Sequence, residues 1–304
     1  MGWPPGAAAG AAGGAPVPDT MTDHSTTAAD AISRRRFLAA TAGLAAGAGA
    51  LGALACRPEQ PVRQPGPRAE RLPDDEAAAV VAAAAGRIAA RPGAPTESAP
   101  TGLHGLEVTG VGEGLLLLPA SAPADRPAPL LVLLHGAGGE AGRVLELVRD
   151  LAETAGLVVL VPQSQSATWD VVLGGFGPDV AAIDALLAAT FDRRLVDPRR
   201  VAVGGFSDGA SYALSLGLTN GDLFGRVAAF SPGFMRPGGR VGRVACFVSH
   251  GTRDTVLPIE RCSRRLVPQL RREGHEVRYT EFDGPHTVPR TIAEAAVAWL
   301  VSGA

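Results

Sequence analysis

The chain has 304 residues, 46% of them hydrophobic, with a net charge of -2 and a sequence pI of about 6.3. That size and apolar share are enough for one large core or two small ones, while the near-neutral balance excludes the basic footprint of a nucleic-acid partner. Three cysteines (Cys56, Cys246 and Cys262) cannot make a disulfide framework and show no metal-ligand spacing, so no metal site is expected.

Residues 1–30 are rich in Gly, Ala, Pro and Thr and have no apolar period, which predicts disorder; Met21 is a second candidate start. Ser33-Arg34-Arg35-Arg36-Phe37-Leu38 then leads into an uncharged Ala/Gly/Leu stretch that runs to Cys56. An arginine pair, a following Phe-Leu and a weakly apolar segment read as a twin-arginine-type export signal. The rival reading is a transmembrane helix, for which so many alanines and glycines make a poor anchor. Ala53-Leu54-Ala55 fits a small-x-small cleavage site, and Ala55-Cys56 fits equally the junction of a lipoprotein signal that leaves Cys56 carrying lipid. A lipobox has Leu three places before its cysteine; here that place holds Ala53, so both endings stay open. Either way the protein is expected to be exported, extracellular or periplasmic, with membrane association through a lipidated Cys56 in the second case.

Residues 57–73 are rich in Pro, Arg, Glu and Gln and read as a tether. Pro73-Asp74-Asp75-Glu76 starts an alanine-rich helix running to Arg91, and residues 92–100 form another linker. The expected organisation is therefore a signal region over 1–56, a linker with a short helix over 57–100, and a catalytic domain over 101–304.

From Thr101 strands and helices alternate. Residues 103–108 and 114–118 read as two leading antiparallel strands, and 130–135 as a continuous apolar strand buried on both faces. A helix over 140–155, a strand over 157–162, a helix over 178–193 and a strand over 201–206 follow. Strands over 226–231, 244–250 and 276–282 come next, with helices over 210–218, 259–273 and 288–301. This alternation predicts an α/β fold with a mostly parallel sheet, helices on both faces and functional loops at the strands' carboxyl ends. Cys246 falls in a strand and Cys262 in a helix; they read as unpaired buried thiols, a bridge being the alternative in an exported protein.

Gly205-Phe206-Ser207-Asp208-Gly209 fits G-x-S-x-G between an apolar strand and a helix. A serine on so sharp a turn sits in strained backbone, and side chains two places either side of it would strike the neighbouring strand and helix. Gly205 and Gly209 remove them. With 39 glycines in the chain the pattern alone is weak; the strand before and the helix after give it meaning. A serine nucleophile needs a base, a group that orients the base, and donors for the oxyanion. His286 follows one strand, Asp254 another, and His135-Gly136-Ala137-Gly138-Gly139 a third. The order Ser207, Asp254, His286, each on its own strand-end loop, is the order of a hydrolase triad on a parallel sheet. Backbone N–H groups of Ala137, Gly138 and Asp208 are the candidate oxyanion donors.

LHGAGG at 134–139, GFSDG at 205–209, HGTRDTVLP at 250–258 and GPHTVP at 284–289 resemble the motifs of α/β-hydrolases of the phospholipase/carboxylesterase and dienelactone-hydrolase-like type. They also resemble those of secreted polyhydroxybutyrate depolymerase-like and feruloyl esterase-like serine hydrolases. The likeness covers about residues 101–304. It implies the α/β-hydrolase fold and serine ester hydrolysis through an acyl-enzyme, without a cofactor, on a small-molecule or polymeric ester. Acyl transfer to an alcohol or sugar, a phospholipase, and a non-catalytic binding lipoprotein are the alternatives. Dienelactone hydrolases proper use a cysteine; here Ser207 stands in that place, so their substrate is not implied.

Of the remaining candidates, His135 and His250 read as structural histidines before turns, and Asp179 as a helix N-terminal acid. The GGFGP run at 174–178 lacks the lysine and preceding strand of a phosphate loop. Trp169 is expected to overhang the pocket as a wall of the acyl site, with core packing as its alternative. Residues 232–243 leave room only for a short Pro/Gly-rich cover with Phe234 and Met235, which predicts no large lid and an open, shallow site. Nothing in the sequence bears on oligomeric state.

Overall fold

The computed structural model describes residues 74–302. The arginine pair Arg34-Arg35, the Ala55-Cys56 junction and the tether over 57–73 lie outside the described residues.

Runs that are apolar on both faces go to the middle of a parallel sheet, because each face must meet a helix. That is where the chain puts them. The antiparallel lead is β1 (Gly102–Val108) and β2 (Gly112–Leu118), followed by β3 (Ala128–Leu134), β4 (Val158–Pro162), β5 (Val196–Phe206), β6 (Arg226–Phe230), β7 (Ala245–Gly251) and β8 (Val277–Phe282). Their order across one eight-stranded sheet is β1-β2-β4-β3-β5-β6-β7-β8. Pairing is antiparallel between β1 and β2 and between β2 and β4, and parallel from β4 to β8. All seven residues of β3 are buried. Its side chains alternate: Leu130, Val132 and Leu134 join one core, Leu131 and Leu133 the other.

The helices are α1 (Asp74–Ala84), α2 (Ala141–Leu145), α3 (Arg149–Ala155), α4 (Asp170–Leu173), α5 (Pro178–Arg193), α6 (Asp208–Thr219), α7 (Ser263–Arg272) and α8 (Arg290–Val301). Helices α5, α6 and α7 cover one face of the sheet, with Ile183, Leu214 and Leu270 in its core. Helices α2, α3 and α8 cover the other, with Leu145, Ala152 and Trp299. No helix among the described residues is long and apolar enough to cross a membrane.

Several boundaries differ from the sequence expectation. The helix expected over 140–155 is two, because Val148 leaves helical backbone (φ -129°) to bury its side chain between them. The short α4 was not expected at all. Helix α1 stops at Ala84, and Gly86, at φ +74°, takes the left-handed turn that ends it. The chain beyond does not dangle as a linker. Ile88 is buried, and Thr96 and Glu97 donate their N–H groups to the Asp192 carbonyl.

Two polar devices hold the α6 side together. Ser211, Ser215 and Thr219 lie at successive fours on α6 and are buried. Each hydroxyl donates to the carbonyl four residues back, and each accepts a backbone N–H from the Pro/Gly-rich segment: Gly233, Arg236 and Gly238 at 2.9, 2.8 and 3.0 Å. Asn220, fully buried at the end of α6, reads the backbone of the incoming segment. It donates to Gly86 O (2.7 Å) and Leu216 O (3.0 Å) and accepts from Ile88 N–H (2.9 Å). Asn220→Ala strands those backbone groups in a dry site and should cost about 2–3 kcal/mol. Urea unfolding should show this as a lower midpoint at an unchanged slope, with faster proteolysis around residues 85–91.

Candidate active site

The site begins with a backbone collision that two glycines avoid. A Cβ on Gly209 would stand 2.3 Å from the Leu134 carbonyl oxygen and 2.4 Å from that of His135; one on Gly205 would stand 2.5 Å from the Gly209 carbonyl. With both removed, the first turn of α6 presses on the end of β3. Ser207 takes the intervening turn at φ 59°, ψ -119°, a conformation side chains rarely adopt. Its N–H is held by Phe230 O at 2.9 Å, and its carbonyl by the Ala210 and Ser211 amides at 3.0 and 3.1 Å.

His286, on the loop after β8, places Nε2 2.8 Å from Ser207 Oγ, and its Nδ1 lies 2.6 Å from Asp254 Oδ2. The Nδ1–H donates to the carboxylate, which leaves Nε2 to accept from the serine hydroxyl. Phe206 packs against the imidazole, ring centres 4.7 Å apart. The Asp254 side chain is fully buried, and its Oδ1 accepts the Val256 and Leu257 amides at 2.9 and 2.8 Å. Three residues that the sequence placed on separate strand ends thus form one hydrogen-bonded chain.

The oxyanion candidates divide. Gly136 is the closest approach of the glycine loop, since a Cβ there would sit 3.3 Å from Ser207 Cβ. The next N–H, of exposed Ala137, has no hydrogen-bond partner among the described residues, and neither has that of Asp208 at the start of α6. Gly138 is different: its N–H donates to Ala167 O at 2.6 Å, so it is spent inside the loop and Gly138 is withdrawn as a donor. The Asp208 carboxylate accepts from Thr168 Oγ1 at 2.8 Å.

Trp169 is not a pocket wall. Its ring is fully buried, stacked on Tyr212 at 5.2 Å, and its Nε1–H donates to His135 O at 2.8 Å. An indole with that much apolar area and one satisfied donor gains more in the core than on a rim. His135 is structural as expected: Nδ1–H donates to Gly136 O (2.7 Å), and Nε2 accepts from the Ser164 amide (3.2 Å). Burial lowers its pKa, which keeps it neutral while it braces the glycine loop. Asp179 does sit in the first turn of α5, but it is buried and bonds amides outside that helix rather than capping it. It accepts the amides of Gln165 and Asp170 at 2.7 Å each, and Asp170 accepts the Asp179 amide at 2.9 Å. Burial pushes the Asp179 carboxyl up to about 6. Cys246 and Cys262 are both free and buried.

Known proteins share this architecture. Residues 175–298, which contain Ser207, Asp254 and His286, match the phospholipase/carboxylesterase family. In solved structures the esterase PE8 superposes with a TM-score of 0.51 at 22% identity, over 66% of this chain and 98% of that one. An S-formylglutathione hydrolase from Staphylococcus aureus gives 0.52 at 13% identity, over 66% and 98%. The chain has the α/β-hydrolase fold. In sequence it is similar to the Aspergillus oryzae protein named "Probable feruloyl esterase C", 27% identical over 170 residues. The match takes in 53% of this chain and 62% of that relative's length; the Aspergillus flavus counterpart gives the same figures. The chain thus resembles serine esterases of the phospholipase/carboxylesterase type.

Sequence reasoning missed the hydroxyl ladder and the Asp170–Asp179 pair. The serine/threonine spacing of four on an otherwise apolar helix was the available signal for the first. The second had none, since the two acids meet only when the loop after β4 folds back on α5. The elbow geometry makes a sharp forecast. Gly209→Ala should cost at least about 3 kcal/mol, because backbone rather than a flexible side chain opposes the new methyl. Gly175→Ala, whose Cβ would meet nothing within 4 Å, should stay within about 0.5 kcal/mol of the parent in thermal or urea unfolding.

Proposed function

We propose that the protein is a serine hydrolase that cleaves carboxylic esters through an acyl-enzyme. The observation that carries this is the continuous chain from Ser207 Oγ through His286 to Asp254, at 2.8 and 2.6 Å, in a folded site with two unengaged amides at its mouth. Ser207 attacks the ester carbonyl as its proton moves to His286 Nε2. Asp254 holds the imidazole in the tautomer that can accept that proton, and it stabilises the cation formed. The negative charge on the carbonyl oxygen falls to the Ala137 and Asp208 N–H groups, the latter at the positive end of α6. His286 then protonates the leaving alcohol as the adduct collapses to the acyl-enzyme. An incoming water gives its proton to the same nitrogen as its oxygen attacks the acyl carbonyl. The second adduct expels Ser207 Oγ, which takes that proton back from His286 as the acid departs. The residues do this without a cofactor.

Ser207→Ala and His286→Ala should each lower kcat on p-nitrophenyl acetate by on the order of 10⁴-fold, and the double variant hardly further, because the pair acts as one unit. A folded Ser207→Ala protein that keeps more than about 1% of the activity rules the assignment out.

The substrate reading is short acyl esters or the exposed ester bonds of a polymer. Between β6 and β7 no helix or strand is inserted, and the ladder from Ser211, Ser215 and Thr219 ties the connecting segment down. A cover so held cannot swing open as a lipid-gated lid. Acetyl to butyryl esters should be turned over faster than palmitoyl esters, with no jump in rate when substrate passes into micelles; long-chain preference or interfacial activation contradicts this.

Export by a twin-arginine-type signal, with Cys56 as the lipid-bearing residue, is part of the same proposal and rests on Arg34-Arg35 and Ala55-Cys56. Replacing both arginines by lysine should leave the precursor in the cytoplasm, and Cys56→Ala should move mature protein from the membrane to the soluble fraction. Normal secretion of the first variant, or a wild type free of lipid by mass spectrometry, removes the corresponding step.

A further inference from the structure

His250 is the last residue but one of β7, its imidazole fully buried, and the hydrolysis described above makes no use of it. Its Nδ1 lies 2.7 Å from Ser263 Oγ; its Nε2 lies 2.8 Å from Leu257 O and 3.2 Å from Asp254 Oδ2. A carbonyl oxygen can only accept, so Nε2 carries the proton and Nδ1 accepts the Ser263 hydroxyl. The one Nε2–H therefore faces both Leu257 O and the carboxylate of Asp254.

The consequence appears in the carboxylate's own count. An ionised carboxylate offers about four acceptor positions. Asp254 Oδ1 takes two amides, Val256 and Leu257; Oδ2 takes the His286 imidazole at 2.6 Å, and the His250 Nε2–H, hydrogen-bonded to Leu257 O, stands 3.2 Å from the same oxygen. Both oxygens are thus held by donors, with a second imidazole N–H dipole facing Oδ2, so the group cannot rotate without losing a bond.

We infer that His250 is a positioning residue for the proposed hydrolysis: its Nε2–H, in the tautomer set by the Leu257 carbonyl and matched by the Ser263 hydroxyl, helps fix the Asp254 carboxylate that orients His286. The inference rests on reading Ser207, His286 and Asp254 as the catalytic groups. Without that donor, Oδ2 would lose one of the two imidazole N–H groups that face it. The carboxylate facing His286 would then have one fewer N–H dipole set against its charge, and an imidazolium beside it would be bound more strongly. The other ionisable groups around His250 leave this direction unchanged. Burial of His250 disfavours its own cation. Glu281, its partner in the β7–β8 ladder, is tied to Arg264 and held down to about 2. Cys262 has its thiol pushed up by burial, and Arg253 pairs with Asp283 at the exposed surface.

The test uses the full chain, with active sites counted by a fluorophosphonate so that only folded serine centres enter kcat. His250→Phe keeps a flat ring without donors, and His250→Gln returns an amide donor where Nε2 stands. His250→Phe should lower kcat on p-nitrophenyl acetate by about 10–100-fold with KM within about twofold. It should also move the acid limb of the kcat/KM profile to higher pH by about half a unit or more. His250→Gln should recover kcat to within about fivefold of the parent and return the limb. Parent-like kcat and pH profile in His250→Phe, or a Gln variant no better than Phe, overturns the inference. Should His250→Phe fail to fold, His250→Leu takes its place, with the same loss and the same shift in pH supporting the role and a parent-like profile removing it. Activity surviving in Ser207→Ala would instead discard the catalytic reading itself, whatever the His250 variants do.

Discussion

The approach of α6 to the end of β3 is the constraint on which the site depends. Helix and strand backbones are so close there that only hydrogen fits at Gly205 and Gly209. Because the helix starts this near the strand, the single residue between must turn through left-handed backbone, a cost of roughly 1–3 kcal/mol for a non-glycine residue. The surroundings hold Ser207 in place: Phe230 O takes its N–H, and the Ala210 and Ser211 amides and the Ser211 hydroxyl take its carbonyl. The turn leaves Ser207 Oγ 2.8 Å from His286 Nε2, and the Asp208 amide that follows it has no partner among the described residues.

The same approach sets the glycine loop. With α6 seated against His135 O, Gly136 lies beside Ser207 Cβ, and the following residues must fold away from the helix. His135 turns this loop into a fixed object. Its two ring nitrogens tie Gly136 to Ser164, while its carbonyl receives the Trp169 indole. The loop after β4 is thereby bonded to the loop after β3, and Thr168 extends the link to Asp208 on α6. On the other side, the serine and threonine ladder bonds α6 to the segment leaving β6. The elements beside Ser207 are thus joined by buried hydrogen bonds. Each such bond is of modest net worth when made and expensive to leave open, which favours one arrangement over a mobile rim.

Sequence and tertiary structure contributed differently to this picture. The eight strands and most helices were legible because the patterns are local: two-face apolar runs for β3 to β5, a helical period in α5 and α8, a glycine pair bracketing Ser207. Boundaries moved where packing outvoted pattern, as at Val148, which interrupts a helical run to fill the core. Trp169 shows the limit more sharply. A Trp on a strand-end loop suits a rim and a core alike, and the choice fell to an acceptor, His135 O, from a strand 34 positions earlier.

What the sequence determined by itself was the set of chemical groups and their order: Ser207, Asp254 and His286, each after its own strand, with glycines where backbones must touch. Alternating strands and helices imply parallel pairing, and parallel strands bring their carboxyl ends to one edge of the sheet, so those groups had to reach it. Only the tertiary structure decided which amides stay unengaged at that edge, Ala137 and Asp208 but not Gly138. It alone showed that a second imidazole, His250, lies 3.2 Å from the carboxylate oxygen that His286 binds. Both outcomes depend on hydrogen-bond partners distant in the chain, whose meeting is set by how loops close over the sheet and leaves no periodicity in the sequence.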